Sequence, residues 1–259
     1  MARATSLEAI EQRWAVDETS IGRVVIPSDL PPGIALFYTT IDFHGRLDAA
    51  SSAALREVMQ DRFGVDATLA SCHQVHGTRA VKAVCASDWS ETSGCDALFS
   101  DESGVALAIK MADCLPVTLI DAEHHAIANI HSGWRGTAAS IVKGTLTALR
   151  DQTTFASASA LAYLGPSIRS CCFEVGEEVI ALFAQRHEGI ERYVDRTRGP
   201  RPFLDTVALT IDGLIREGIA RERTFDSKIC TRCDGSIFHS YRRDAALSGR
   251  NLAVAAQRT

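Results

Sequence analysis

The chain has 259 residues, a formal net charge of −5, and 46% hydrophobic against 23% charged residues. That balance is ordinary for a folded globular chain and excludes a disordered or low-complexity one. Lys and Arg gather into no basic stripe, so nucleic acid is not an expected partner. No apolar run is long enough to cross a bilayer, so neither is a membrane. The opening stretch from Met1 to Glu8 lacks the apolar centre of a secretory signal. A cytoplasmic location is therefore expected, where eight cysteines are buried small side chains, metal ligands or reactive thiols rather than a disulfide framework.

In chain order, the first forty residues read as two strands, at 24–26 and 34–40, the second after the breaker Pro31-Pro32-Gly33. A helix follows Asp48: Leu55, Val58, Met59 and Phe63 recur at spacings of three and four, and Gly64 stops it. A dense run of strands comes next, at 68–72, 80–85, 105–109, 115–120 and 126–130, the last two joined by a hairpin loop at 121–124. An amphipathic helix is expected from Gly136 to about Leu149, a buried strand at 161–164, and helices at 177–184 and 206–217, the second stopped by Gly218. The tail at 252–256 reads as a strand or a helical turn. Strands cluster instead of alternating with helices, which points to an α+β fold with sheets covered by helices. With no repeat and no linker beyond the short loop 196–202, a single domain over 1–259 is expected.

Three chemistry-bearing side chains lie at the ends of these apolar runs. They are His76 in His73-Gln74-Val75-His76-Gly77, Cys114 in Ala112-Asp113-Cys114-Leu115-Pro116, and His131 in Ile130-His131-Ser132-Gly133-Trp134-Arg135-Gly136. Two imidazoles and a thiolate make a three-ligand zinc set whose fourth position stays open, as catalytic zinc requires. They converge only if their strands are neighbours, and each alone also reads as a buried packing residue. Copper accepts the same donors. Asp113 and Asp96 are candidates to hold the ligating imidazoles in place, turn capping being the plainer role for both. Arg135, with the amides opening the following helix, is a candidate anion site, or else makes a surface ion pair. His73 is a candidate proton donor or base-orienting group. Cys230-Thr231-Arg232-Cys233 has metal or redox spacing but no visible second half, so burial is the expected role. One of the adjacent Cys171 and Cys172 is expected to face the core.

Seven ordered blocks between about residues 70 and 250 resemble the laccase-domain, or YfiH-like, family. They are Gln74-Val75-His76-Gly77, Cys95-Asp96-Ala97-Leu98, Ala112-Asp113-Cys114-Leu115-Pro116, His131-Ser132-Gly133-Trp134-Arg135-Gly136, Leu164-Gly165-Pro166-Ser167-Ile168, Phe173-Glu174-Val175-Gly176, and Cys230-Thr231 through Ser240-Tyr241-Arg242-Arg243-Asp244. The resemblance implies an αββα sandwich and metal ligands at His76, Cys114 and His131. It also implies a zinc-dependent purine nucleoside phosphorylase acting on adenosine, inosine and methylthioadenosine, with adenosine deaminase activity. A nucleoside and phosphate are then the partners, and the chain is expected to be a monomer or weak homodimer. Other readings are a laccase-like polyphenol oxidase, an editing hydrolase for peptidoglycan precursors, a cysteine hydrolase built on Cys114 and His131, and a zinc-containing binding protein. A multicopper oxidase needs on the order of ten histidines in paired motifs, against eight scattered ones here. The N-terminal third departs from the family pattern: Thr39-Thr40 leads into Ile41-Asp42-Phe43-His44-Gly45-Arg46, where His44 or Arg46 is expected to stand in for missing pocket elements.

Overall fold

The computed structural model describes residues 13–85 and 90–258. Two sheets face each other. The seven-stranded sheet runs in the order β1 (Trp14–Thr19), β2 (Gly22–Pro27), β3 (Ile34–Thr39), β15 (Asn251–Gln257), β8 (Val105–Met111), β4 (Thr68–His73) and β6 (Ser90–Ser93). The six-stranded sheet runs β14 (Thr224–Asp226), β11 (Leu161–Leu164), β9 (Leu115–Asp121), β10 (Ala126–Ser132), β7 (Ala97–Ser100) and β5 (Ala80–Lys82). A two-stranded ribbon, β12 (Val194–Asp195) with β13 (Phe203–Leu204), lies apart.

The alternation of side chains along a strand sorts them into layers. Leu36 and Tyr38 of β3, Leu107 and Ile109 of β8, Ile120 of β9 and Ile127 of β10 fill the space between the sheets. Ala35 and Phe37 of β3, with Leu252 and Val254 of β15, face outward onto α1 (Ala49–Phe63), which buries Leu55, Val58 and Met59 against them. Val117 and Leu119 of β9, with Ala128 and Ile130 of β10, face the other way. They are covered by α3 (Ile141–Gln152) and α5 (Thr206–Arg216) through Leu146, Leu149, Val207 and Leu214. The order is helix, sheet, sheet, helix, so the expected αββα sandwich is borne out. A smaller apolar cluster around Phe173, Ile180 and Phe183 lies under α4 (Glu177–Ala184).

The helix expected after Asp48 forms as read: the Asp48 carboxylate accepts from the Ser51 amide, and Gly64 ends it at φ 64°. Among the described residues up to position 40 there are three strands, not two, because Gly22 at φ 91° turns β1 back onto β2. β1 is a half-exposed edge strand with no continuous apolar run to announce it. The strand expected at 80–85 is only β5, and β7 was not expected. The helix expected after Gly136 is broken: α2 (Trp134–Ala138) is a single turn, and Ser140, at φ 62°, separates it from α3. The tail is a strand, β15, at the centre of the seven-stranded sheet.

Candidate active site

Strand register brings the three candidate ligands together. β9 and β10 pair antiparallel with Leu115 opposite Ser132 and Pro116 opposite His131, so Cys114, one residue before β9, lies beside the end of β10. β7 pairs with the other edge of β10, with Ala97 opposite Ile130, which puts Asp96 next to His131. His76 arrives from the other sheet, in the loop that leaves β4 and crosses to β5.

Asp96 organises that crossing. Its carboxylate, fully buried, accepts from the amides of Val75 (3.2 Å), His76 (2.8 Å) and Gly77 (2.7 Å), fixing a loop in which His76 sits at φ 59°. The same carboxylate accepts from His131 Nδ1 at 2.8 Å, which leaves His131 Nε2 as the ligand atom. Burial alone raises the Asp96 carboxyl, but the His131 imidazole and the Gly77 and Val75 amides outweigh it and hold it below the ordinary carboxylate range.

The ligand atoms of His76, Cys114 and His131 all lie within 4.8 Å of one another. The Cys114 Sγ is 3.9 Å from His76 Nε2, and the two imidazole rings stand nearly perpendicular at 84°. Gly133 keeps the space between them clear: a Cβ there would come 2.9 Å from His76 Cδ2 and 3.3 Å from the Cys114 sulfur. Burial opposes ionisation of Cys114, yet the imidazoles of His131 and His76 bring its thiol down to about 6. Burial likewise opposes charging His131, while Asp96 and Cys114 raise it to about 9. Soft sulfur, two imidazole nitrogens, a carboxylate braced behind one of them and a space that Gly133 keeps free of side chains fit a divalent zinc-like ion with an open position. Neither Cys72 nor His73 adds a fourth protein ligand: Cys72 faces the core between the sheets, and His73 lies outside the converged set.

The cluster opens into a cavity of about 630 Å³ whose walls include His73, Trp134, Arg135, Tyr241, Arg242 and Arg250. The Arg135 guanidinium stacks on Trp134 at 4.2 Å and makes no ion pair among the described residues, so its charge faces the cavity. The amides expected to assist it belong only to the single turn α2, which leaves anion binding to the side chains. Asp113 corrects its expected role. It turns away from the imidazoles, accepting instead from Thr231 Oγ1 and from the Arg242 amide, both at 2.6 Å. It thereby ties the turn before Cys114 to α6 (Tyr241–Asp244). His44 and Arg46 are not among the residues lining the cavity; Arg250, which sequence reasoning missed, is. Gly45, at φ 64°, lets the 41–47 loop press against the Arg250 carbonyl, where any Cβ would collide.

Comparisons with known proteins identify relatives of the chain and of its fold. The family described as multi-copper polyphenol oxidoreductase laccase matches residues 40–258. Adenosine deaminase RL5, from an unknown prokaryotic organism, is 33% identical over 160 residues, 61% of either chain. A purine nucleoside phosphorylase of Bacteroides thetaiotaomicron is 35% identical over 161 residues, 62% of this chain and 60% of that one. The matched region thus spans about three fifths of the length of these relatives. The crystal structure of YlmD from Geobacillus stearothermophilus superposes with a TM-score of 0.78 at 23% identity, covering 94% of this chain and 99% of that one. A Bacillus licheniformis hypothetical protein, YfiH, gives 0.80 at 21%, with the same coverage. With the family match extending over most of its length, the chain belongs to the laccase-domain family.

Proposed function

We propose that this chain is a metal-dependent purine nucleoside phosphorylase that also deaminates adenosine, with zinc held by His76, Cys114 and His131. The observation that carries this reading is the three-donor cluster, kept open by Gly133, at the floor of a cavity that pairs cations with aromatic surfaces. The names of the relatives support the substrate class. When bound, the ion supplies Lewis acidity and an activated water.

The chain's own residues do the rest. Asp96 holds the His131 ring by its Nδ1, which leaves Nε2 as the atom that would ligate the ion. Trp134 and Tyr241 offer flat faces on which a purine stacks. Arg135 and Arg250 bind phosphate and stabilise the charge that develops as the glycosidic bond breaks. His73, at the cavity wall, donates a proton to the departing base. Asp113 acts indirectly, by fixing the backbone from which Cys114 projects.

The donor set gives no support to multicopper chemistry: among the described residues, only His76 and His131 of the eight histidines enter a metal-competent cluster. The cysteine-hydrolase reading uses the same thiolate and imidazole without metal, and metal dependence separates the two. Purified protein incubated with adenosine and phosphate is expected to release adenine, ribose 1-phosphate and inosine. Chelation should abolish this and zinc should restore it. Absence of turnover of adenosine, inosine and methylthioadenosine by the metal-loaded protein overturns the proposal, and full activity after complete chelation transfers the chemistry to Cys114 as nucleophile.

A further inference from the structure

Cys230-Thr231-Arg232-Cys233 showed no second half in the sequence; the fold supplies one. Cys171 and Cys172 lie in the connection between β11 and α4, and Cys230 and Cys233 lie in the connection between β14 and α6. An isolated bridge between Ser167 and Cys230 sets the two segments side by side. All four sulfur atoms fall within 4.8 Å of one another, with Cys172 to Cys233 at 3.4 Å and Cys171 to Cys233 at 3.8 Å. The edges of a tetrahedral zinc–thiolate centre, with zinc–sulfur bonds of about 2.3 Å, are about 3.8 Å long. Four sulfurs already spaced at that scale reach the ligating geometry by shifts of a fraction of an ångström to about one ångström. A disulfide needs sulfurs about 2.05 Å apart.

We propose that Cys171, Cys172, Cys230 and Cys233 form a second metal site, a closed four-thiolate centre for zinc, separate from the three-ligand cluster. Four protein ligands leave no position for water, the pattern of a structural site. A divalent ion with four thiolates carries two net negative charges, and the surroundings are built to accept them. The Arg232 guanidinium sits against Cys172. Arg198 donates to the Ser170 and Cys171 carbonyls at 3.1 and 2.6 Å, and Arg243 to the Thr231 carbonyl at 3.0 Å. The amides of Arg232 and Cys233 turn back toward the Cys230 sulfur, so the Cys-x-x-Cys turn stabilises thiolate from its own backbone. Cys171 and Cys233 are exposed, which gives an ion a way in.

The centre braces the wall of the first site. Between its two pairs of cysteines and Cys114 stands Asp113. It is held by Thr231 Oγ1 and the Arg242 amide on the Cys230 side, and its carbonyl accepts from the Ile168 amide at 2.9 Å on the Cys171 side. Clipping the two segments together fixes the turn that presents Cys114. The role is structural and does not depend on which nucleoside, if any, the chain turns over.

The test counts metal, not activity. Protein purified under reducing conditions and dialysed against a weak chelator is analysed for zinc per chain. The wild type is expected to hold two ions, the double variant His76→Ala/Cys114→Ser one, and Cys233→Ser also one. Cobalt substitution of the His76→Ala/Cys114→Ser chain is expected to give the intense sulfur-to-metal charge-transfer and visible bands of a tetrahedral four-thiolate centre. A metal-free His76→Ala/Cys114→Ser chain with native circular dichroism overturns the proposal. So does a disulfide among the four cysteines in the chain as purified, read as a mass two hydrogens low before reduction. If Cys233→Ser does not fold, the exposed Cys171→Ala replaces it, and retention of two ions by that variant also overturns a four-thiolate centre.

Discussion

At the scale of single residues, Asp96 carries more of the site than any ligand. One buried carboxylate positions three amides of the His76 loop and the ring of His131. Asp96→Asn keeps the shape but replaces one acceptor oxygen by a donor facing donors. Metal affinity is expected to fall 10- to 100-fold, the usual consequence of losing such a partner, as measured by competition with a chromophoric chelator. The same experiment has a pH signature. In the metal-free chain His131 titrates at about 9, above its ordinary value, and Cys114 at about 6, below its own. Between those values the thiolate is ready to ligate, but the imidazolium must lose one proton. Apparent zinc affinity should therefore rise about tenfold per pH unit from 6 to 9, steepen below 6 where Cys114 also competes for protons, and flatten above 9. Asp96→Asn removes one of the two groups that raise His131, Cys114 being the other, and should shift the upper limit of this window downward. An affinity independent of pH across it contradicts the assignment of His131 as a ligand.

At the scale of elements, the hairpin of β9 and β10 was legible because two unbroken apolar runs flank a polar loop, and its antiparallel register alone places Cys114 beside His131. α1 was legible from its cap, its apolar spacing and its terminal glycine. The break at Ser140 was not, since a left-handed serine leaves no mark in the apolar pattern around it. Nor was the partner of Asp113: its hydrogen bonds reach Thr231 and Arg242, more than a hundred residues away, and no local rule selects them. The four cysteines escaped for the same reason, each pair looking like half of nothing until two connections pack together. Arg250 shows how the end of an element brings a side chain to the cavity wall. It precedes β15, its backbone is set by the close approach of Gly45, and its guanidinium donates only to the carbonyls of Ser248 and Gly249 among the described residues. Charge-assisted hydrogen bonds are worth about 1.5–3 kcal/mol, so Arg250→Ala should raise the KM for phosphate roughly 10- to 100-fold. Zinc content should stay at the wild-type level, because Arg250 touches no ligand. An unchanged KM in steady-state phosphorolysis places the anion elsewhere.

At the scale of the whole molecule, the site exists because two sheets keep a fixed offset. His131 and Asp96 belong to one sheet and the His76 loop to the other, so any slip between sheets moves the ligands apart. The interface that resists slipping is largely apolar and includes Asn129, which lies two residues before His131 and so on the same face of β10. Asn129 is wholly buried. Its Nδ2 donates to the carbonyls of Leu107 (3.0 Å) and Ala253 (2.9 Å) in the facing sheet, and its Oδ1 accepts from Thr118 Oγ1 at 3.2 Å. One amide thus stitches β10 to both β8 and β15. Asn129→Leu conserves volume but leaves the Thr118 hydroxyl and two carbonyls with fewer partners, at a cost of about 1–3 kcal/mol for each group left unsatisfied. Asn129→Asp is expected to cost more than Asn129→Leu, since it sets carboxylate oxygens against two carbonyl oxygens in a dry interior. Urea unfolding of the metal-free variants should show this order of midpoints. Metal affinity supplies the independent reading: if Asn129 fixes the offset of the sheets, Asn129→Leu weakens zinc binding at the three-ligand cluster although Asn129 is no ligand. Loss of stability with wild-type affinity at that cluster would mean that the Asp96 carboxylate alone, reaching across to the His76 loop, sets the distance between the two sheets at this end of the sandwich.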